Sequence, residues 1–294
     1  MSKLIGATCI GEEEDPVPYA VLKELGISYT EAFTQTKGMV KVATRLKEIN
    51  KDKFCTLPFS ITVEAEAFGA EVDIDPCFAT PRVRERTFTK LEQVRDMLAI
   101  NFGIGRIKEV LDAVEVLADN GEDVILNVEG PLTILSMLID TKTIYKEMIK
   151  RPDLLLYVCD MITSFLCEYM RKGIKKGATV ISYADPFGAY DLVSNNIYTR
   201  ICGVVTYRLL KEIENDLNGC IVHLCAKTSV GFEKAGFCEK IKREVYENIT
   251  YAEALKEAVK NEEVKFVGLR CMKLCPKRIG TPYYWELKLA KNIY

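Results

Sequence analysis

Short apolar, β-branched runs recur along the chain. Each is followed by a small or polar turn, then by a segment whose apolar residues return every three or four positions. The clearest runs are residues 123–131 (DVILNVEGP), 177–188 (GATVISYADPFG), 219–225 (GCIVHLC) and 263–271 (EVKFVGLRC). A looser fifth occupies residues 53–64 (KFCTLPFSITVE). Helical periodicity predicts one helix over residues 105–120 and another through residues 133–150. A third begins at Pro152, a good first-turn residue, and runs to about Lys175. A fourth begins at Thr250, where Glu253 stands at the spacing of a capping box. Strands alternating with helices predict a mostly parallel sheet in one α/β domain spanning residues 1–294, with no linker, repeat or low-complexity tract.

A parallel sheet sends the C-terminal ends of all its strands to one face, where barrels and doubly wound folds place their chemistry. Glu129, Asp185, His223, Cys225 and Cys271 all stand at such ends. The G-x-G in NFGIGR (residues 101–106) has no strand before it and reads as a helix entry; the early GEEED reads as a solvated turn, and the YYW run at 283–285 as C-terminal packing.

Composition narrows the possibilities. With 48% apolar residues the chain can bury a large core, and a formal net charge of −2 without a basic run argues against nucleic acid as a partner. No apolar stretch is long enough to span a membrane and none resembles a signal peptide, so a cytoplasmic, membrane-free protein is expected. Of the eleven cysteines, Cys159, Cys167 and Cys202 lie within apolar periodic segments and read as small core hydrophobes.

His223 is the single histidine, and Cys225 follows two residues later. It is either a hydrogen-bonded residue at a strand end or half of a metal site. In extended chain, residues i and i+2 point to one side, so the two could grip one ion, and Cys271 at the end of another parallel strand could supply a third donor. Three protein ligands with one open position is the pattern of a catalytic zinc. One imidazole and two thiolates would leave the ion nearly neutral, which suits a bound thiol that must remain nucleophilic better than it suits water activation.

Four segments carry a family resemblance. LPFSITVEAEAFGAEVDI (57–74) resembles a segment of the zinc-dependent methylcobamide:thiol methyltransferases of the uroporphyrinogen decarboxylase superfamily. VEGPLTILSML (128–138), GATVISYADPFGAYDLVS (177–194) and VHLCAKT (222–228) are similar to further segments of that superfamily, in the same order. The resemblance implies a TIM-type (β/α)8 barrel that moves a methyl group from a methylated corrinoid, such as methylcobalamin or a corrinoid-carrying protein, to a small thiol such as coenzyme M. It implies Zn2+ held by His223, Cys225 and either Cys271 or Cys275; Cys271 follows the strand, whereas Cys275 keeps the spacing to Thr281-Pro282. It suggests Glu64 and Asp185 as catalytic residues, with Glu66 and Glu129 facing the cofactor.

The sequence also departs from that pattern. The helix that usually precedes the GATCIGE-like start is missing, and only 45 residues separate Cys225 from Cys271, so one strand–helix unit of the barrel is expected to be reduced or absent. The family's zinc-ligating glutamate falls in this stretch, with Glu239 as its counterpart, and Ala226 and Lys227 replace the Gly-Asn after His-x-Cys. Two alternatives remain: a catalytically weak zinc-binding or corrinoid-protein interaction module on the same barrel, and a superfamily decarboxylase, which lacks the arginine-rich start expected of uroporphyrinogen enzymes.

Overall fold

A computed structural model describes residues 15–97 and 100–291; most of the GEEED turn and the GATCIGE-like start lie outside them. Nine strands are present among these residues: β1 (Cys55–Leu57), β2 (Val72–Asp73), β3 (Arg82–Val83), β4 (Val124–Glu129), β5 (Ala178–Ala184), β6 (Ile221–Leu224), β7 (Cys238–Glu244), β8 (Phe266–Gly268) and β9 (Tyr283–Leu289). β2 and β3 form a small antiparallel ribbon, and the other seven make one sheet in the order β1-β4-β5-β6-β8-β9-β7. From β1 to β8 every pairing in that sheet is parallel. β9 is antiparallel to both β8 and β7.

The mostly parallel α/β sheet is the one the alternating pattern predicts, and it follows the barrel type the resemblance implies, with its last part altered. Five parallel strands lie in barrel order, but among the described residues the hydrogen-bonded ladder does not run from β7 back to β1. Between Cys225 and Cys271 the chain builds helix Ala226–Lys234, β7, helix Tyr251–Lys260 and β8. Only β8 extends the parallel series. β7 swings to the far edge beyond β9, which is how the shortened stretch is accommodated.

The register explains where the polar residues go. Side chains alternate between the two faces of a strand. Leu126, Val128, Ile181, Tyr183, Val222, Leu224 and Phe266 enter the main core with the long helices Gly105–Asp119, Pro152–Lys175 and Gly203–Ile213. The residues between them form rows on the inner face. Ile125, Val180 and Ile221 make the lowest row, aligned by direct pairing, and Asn127, Ser182, His223 and Val267 make the next. Glu129, paired with Ala184, lies above them.

That lowest row is covered. Helix Tyr251–Lys260 packs Tyr251, Ala252, Ala254, Leu255 and Ala258 against Ile125, Val180 and Ile221. Its start is fixed as the sequence predicts: Thr250 accepts a hydrogen bond from the Glu253 N–H, and Glu253 reaches back to the Thr250 N–H. Ion pairs Lys256–Asp123 (2.5 Å) and Lys53–Glu253 (3.4 Å) tie it to the N-terminal ends of β4 and β1.

Other differences from the predicted elements have local causes. The helix expected through residues 133–150 breaks into Pro131–Leu138 and Thr141–Lys150, because Asp140 caps the second helix through the Lys142 N–H and Ile139 turns extended to bridge Phe88. The run at 53–64 is a strand only at Cys55–Leu57, and its TVEAEA portion begins the short helix Val63–Ala67. The YYW run opens β9, and the charged β7 carries too little apolar alternation to be read as a strand. Cys159, Cys167 and Cys202 are buried in the main core, as their apolar context predicts. No helix among the described residues is long and apolar enough to cross a membrane.

If helix Tyr251–Lys260 seals the inner face, its fully buried Leu255 carries much of the contact. Leu255→Ala is expected to cost about 2–5 kcal/mol in denaturant unfolding. A loss below about 1 kcal/mol would show that the helix is not seated there.

Candidate functional site

Three carboxyl groups meet where β4 and β5 end. Glu64, in the first turn of helix Val63–Ala67, is buried, and its Oε1 accepts a hydrogen bond from the Glu129 N–H at 3.1 Å. Its Oε2 is buried without a partner. Asp185, immediately after β5, accepts from the N–H groups of Leu132 (3.2 Å) and Thr133 (2.8 Å) and from the Thr133 hydroxyl (2.7 Å). Gly130 makes that approach possible: a Cβ there would lie 2.3 Å from the Asp185 Cβ.

Burial dominates the electrostatics of this cluster. It raises Glu64 to about 7, partly offset by the hydrogen bond from Glu129 and by Arg106. It raises Asp185 to about 6 against the opposing donors of Thr133 and Leu132. Glu129 is pushed well above the carboxylate range by burial and by the charges of Glu64 and Asp185. Carboxyls that exchange protons near neutral pH, at the C-terminal ends of parallel strands, are equipped for acid–base work.

One strand along, His223 is fully buried and Cys225 half-buried. His223 Nε2 lies 3.0 Å from the Tyr251 hydroxyl, while Nδ1 has no hydrogen-bond partner. Burial lowers the imidazole to about 4, with the backbone of His223 and Arg270 offsetting part of that, so the ring is neutral and able to ligate a metal. Cys225 caps helix Ala226–Lys234. Its Sγ accepts from the Thr228 N–H at 3.4 Å and lies 3.2 Å from the Thr228 hydroxyl. That hydroxyl accepts the Asp185 N–H at 3.0 Å, which leaves its own proton free for the sulfur. Burial pushes the Cys225 thiol up, and the two Thr228 donors work against it.

Not every predicted site residue joins this group. Glu66 pairs with the buried Arg106, which also donates to Ser60 (3.2 Å) and Thr62 (2.8 Å). Glu239 is exposed on β7, paired in register with Lys288, and does not share the buried cluster. Cys271 opens the turn after β8 and is 8% exposed. Cys275 is packed among Tyr251, Phe54 and Ile125 under the lowest row, where burial holds its thiol well above the usual range. Of the two candidates for a third donor, Cys271 is the one at a strand end.

The donors are of the right kind for zinc, a neutral imidazole with an orphaned buried nitrogen and two cysteines. Among the described residues, however, no three His, Cys, Asp or Glu side chains are grouped so as to hold a metal ion. The fit is therefore one of donor type and position, not of a preformed cage.

Sequence reasoning missed the residues that join the strand ends. Thr133 and Thr228 bind Asp185, and buried Ser229 donates to the Cys225 carbonyl (2.8 Å) while accepting the Leu269 N–H (2.9 Å), so it pins the end of β8 to that of β6. The Cys-x-x-Thr spacing of a helix cap could have revealed Thr228. Tyr251 arrives through tertiary packing alone, with no local signal.

The raised carboxyl of Glu64 makes stability pH-dependent. Its folded form holds a proton that the unfolded chain, near the ordinary value of 4.5, has already released, so this contribution is lost as pH rises from about 4.5 through about 7. Glu64→Gln keeps an acceptor for the Glu129 N–H and removes the buried charge. It should stabilise the protein at pH 8 by on the order of 3 kcal/mol relative to its effect at pH 4, measured by unfolding across pH. An equal effect at both pH values would mean that Glu64 is not held protonated.

Comparison with known proteins finds relatives among methyltransferases. A methylcobamide:CoM methyltransferase MtaA from Methanosarcina barkeri is 29% identical over 232 residues, covering 75% of this chain and 68% of the relative. A methylcobamide:CoM methyltransferase MtbA from Methanosarcina mazei is 23% identical over 209 residues, covering 70% and 61%. A solved methyltransferase from Methanosarcina mazei superposes with a TM-score of 0.63 at 25% identity; 70% of this chain is covered, and the chain spans 60% of that protein's length. The uroporphyrinogen decarboxylase (URO-D) family matches residues 16–261, a span that holds β1, β4, β5, β6 and every carboxyl of the strand-end cluster. With most of its length matched, the chain belongs to the uroporphyrinogen decarboxylase (URO-D) family.

Proposed function

We propose that this chain is an enzyme that transfers a methyl group from a methylated corrinoid, presented by a separate corrinoid-carrying protein, to a small thiol of the coenzyme M type. The observation that carries the reading is the His223–Cys225 pair at the end of β6, with Cys225 joined through the Thr228 hydroxyl to the backbone N–H of Asp185, a member of the strand-end cluster. Relatives named as methylcobamide:CoM methyltransferases support the corrinoid donor and the thiol acceptor.

His223, Cys225 and Cys271 are proposed to hold a zinc ion once their side chains gather around it. Bound there, zinc would supply the Lewis acidity that lets a thiol lose its proton near neutral pH. The rest of the chemistry belongs to the chain's own groups. The Thr228 N–H and hydroxyl hold the Cys225 sulfur in place and favour its charged form. Glu64, with its free buried Oε2 and a pKa near 7, is suited to take the proton that the acceptor thiol gives up. The acceptor sulfur then forms its bond to the methyl carbon as the cobalt–carbon bond breaks, both electrons of that bond remaining on cobalt.

The test joins metal content to turnover. Wild-type protein, reconstituted with zinc and assayed with methylcobalamin and coenzyme M, should bind zinc stoichiometrically and methylate the thiol. His223→Ala and Cys271→Ala should lose the zinc and reduce turnover by at least about a hundredfold, whereas Cys275→Ala should keep the zinc and lose mainly stability. Turnover without zinc would overturn the metal assignment. Stoichiometric zinc without turnover would favour a binding module over an enzyme.

A further inference from the structure

His223 is reached from an unexpected direction. Tyr251 opens the helix that covers the inner face, and its hydroxyl stands 3.0 Å from His223 Nε2, with ring centroids 5.7 Å apart in an edge arrangement. The remaining nitrogen, Nδ1, is buried and makes no hydrogen bond of good geometry, although the backbone of His223 and Arg270 acts on the ring. An imidazole held at one nitrogen, with the other free of any full hydrogen bond, is able to ligate a metal; in metal-ligating histidines the second ring nitrogen is normally held by a partner that fixes its orientation.

Tyr251 is itself held on several sides. It is 1% exposed. Its N–H donates to the Lys277 carbonyl at 3.0 Å, and the next N–H, of Ala252, donates to the Cys275 carbonyl at 3.0 Å. The Arg270 guanidinium lies 5.9 Å from its ring centroid, and the Thr250 cap fixes the helix start. Every one of these contacts outside the helix comes from residues 270–277, the segment that carries Cys271. Tyr251 therefore connects the strand bearing His223 and Cys225 to the turn bearing the third cysteine.

We propose that Tyr251 is a positioning residue for the metal centre: it holds Nε2 of His223 so that Nδ1 is the nitrogen offered to the metal, and it couples this histidine to the Cys271 turn. The inference rests on the zinc reading above and adds to it a residue from the helix that fills this chain's shortened half.

Cobalt(II) is the probe, since it takes zinc's place and reports its ligands by colour. The metal-free full chain, reduced and kept anaerobic, is titrated with Co2+ while thiolate-to-cobalt charge-transfer absorption and the visible tetrahedral bands are followed. Zinc competition then gives relative affinities. His223→Ala serves as the control that removes the site, and far-UV circular dichroism with thermal unfolding shows that each variant is folded. Tyr251→Phe keeps the ring and its packing and removes only the hydroxyl. It is expected to bind Co2+ about 10–100-fold more weakly than wild type, with altered visible bands and the thiolate charge transfer retained. Unchanged affinity in folded Tyr251→Phe would overturn the proposal, and so would tighter binding, because tightening means that the hydroxyl occupies the nitrogen the metal needs. Should Tyr251→Phe fail to fold, Tyr251→Gln, which restores a hydrogen-bonding group without adding an imidazole or thiol ligand, is expected to bind Co2+ more tightly than Tyr251→Leu; equal affinities overturn the proposal. Absence of Co2+ and Zn2+ binding in folded wild type would remove the metal reading and this inference together, whereas normal wild-type binding with an indifferent Tyr251 removes the inference alone.

Discussion

Parallel pairing held in register from β4 through β6 is the constraint on which the site depends. Pairing fixes which residues stand side by side, and the two-residue alternation of a strand then fixes which face they share. Ile125, Val180 and Ile221 align low on the inner face, His223 aligns with Ser182 and Val267 above them, and Glu129 stands at the top beside Ala184. Polarity increases along the strands toward their C-terminal ends. A one-residue slip of β6 would send His223 into the main core among the long helices and bring Leu224 inward.

The joints between strand ends are small hydroxyl residues, and each satisfies groups from two elements. Thr133 serves Asp185, Thr228 serves Asp185 and Cys225, and Ser229 serves the ends of β6 and β8. Such residues matter here because a buried carboxyl without donors is costly, whereas one with two or three is tolerable even where burial raises its pKa. The same arithmetic explains Glu66, whose partner Arg106 is nearly inaccessible to water and would be an uncompensated charge without it.

What could be read from the sequence follows from whether the signal was local. The runs at β4, β5 and β6, the helix from Pro152, the capping box at Thr250 and the placement of Glu129, Asp185 and His223 at strand ends all rest on short-range periodicity, and the structure has them. Residues 133–150 misled because a continuous apolar pattern hides an Asp cap that restarts the helix at Thr141. β7 went unseen because its CEKIKRE sequence buries almost nothing, and the packing of helix Tyr251–Lys260 on the sheet's inner face depends on contacts between residues far beyond the reach of local periodicity. The grip of Tyr251 on His223 belongs to this last kind.

Among the described residues the sheet does not close, so β1 and β7 stand at its two borders, and borders of a sheet invite strands from other molecules. β1 meets the problem by brevity, with three residues and two of them buried. β7, at the other border, meets it with charge: Glu239, Lys240, Lys242, Arg243 and Glu244 crowd a seven-residue strand whose partner β9 covers only one side. The charged sequence that made this strand hard to recognise is thus also what disfavours edge-to-edge pairing at that border.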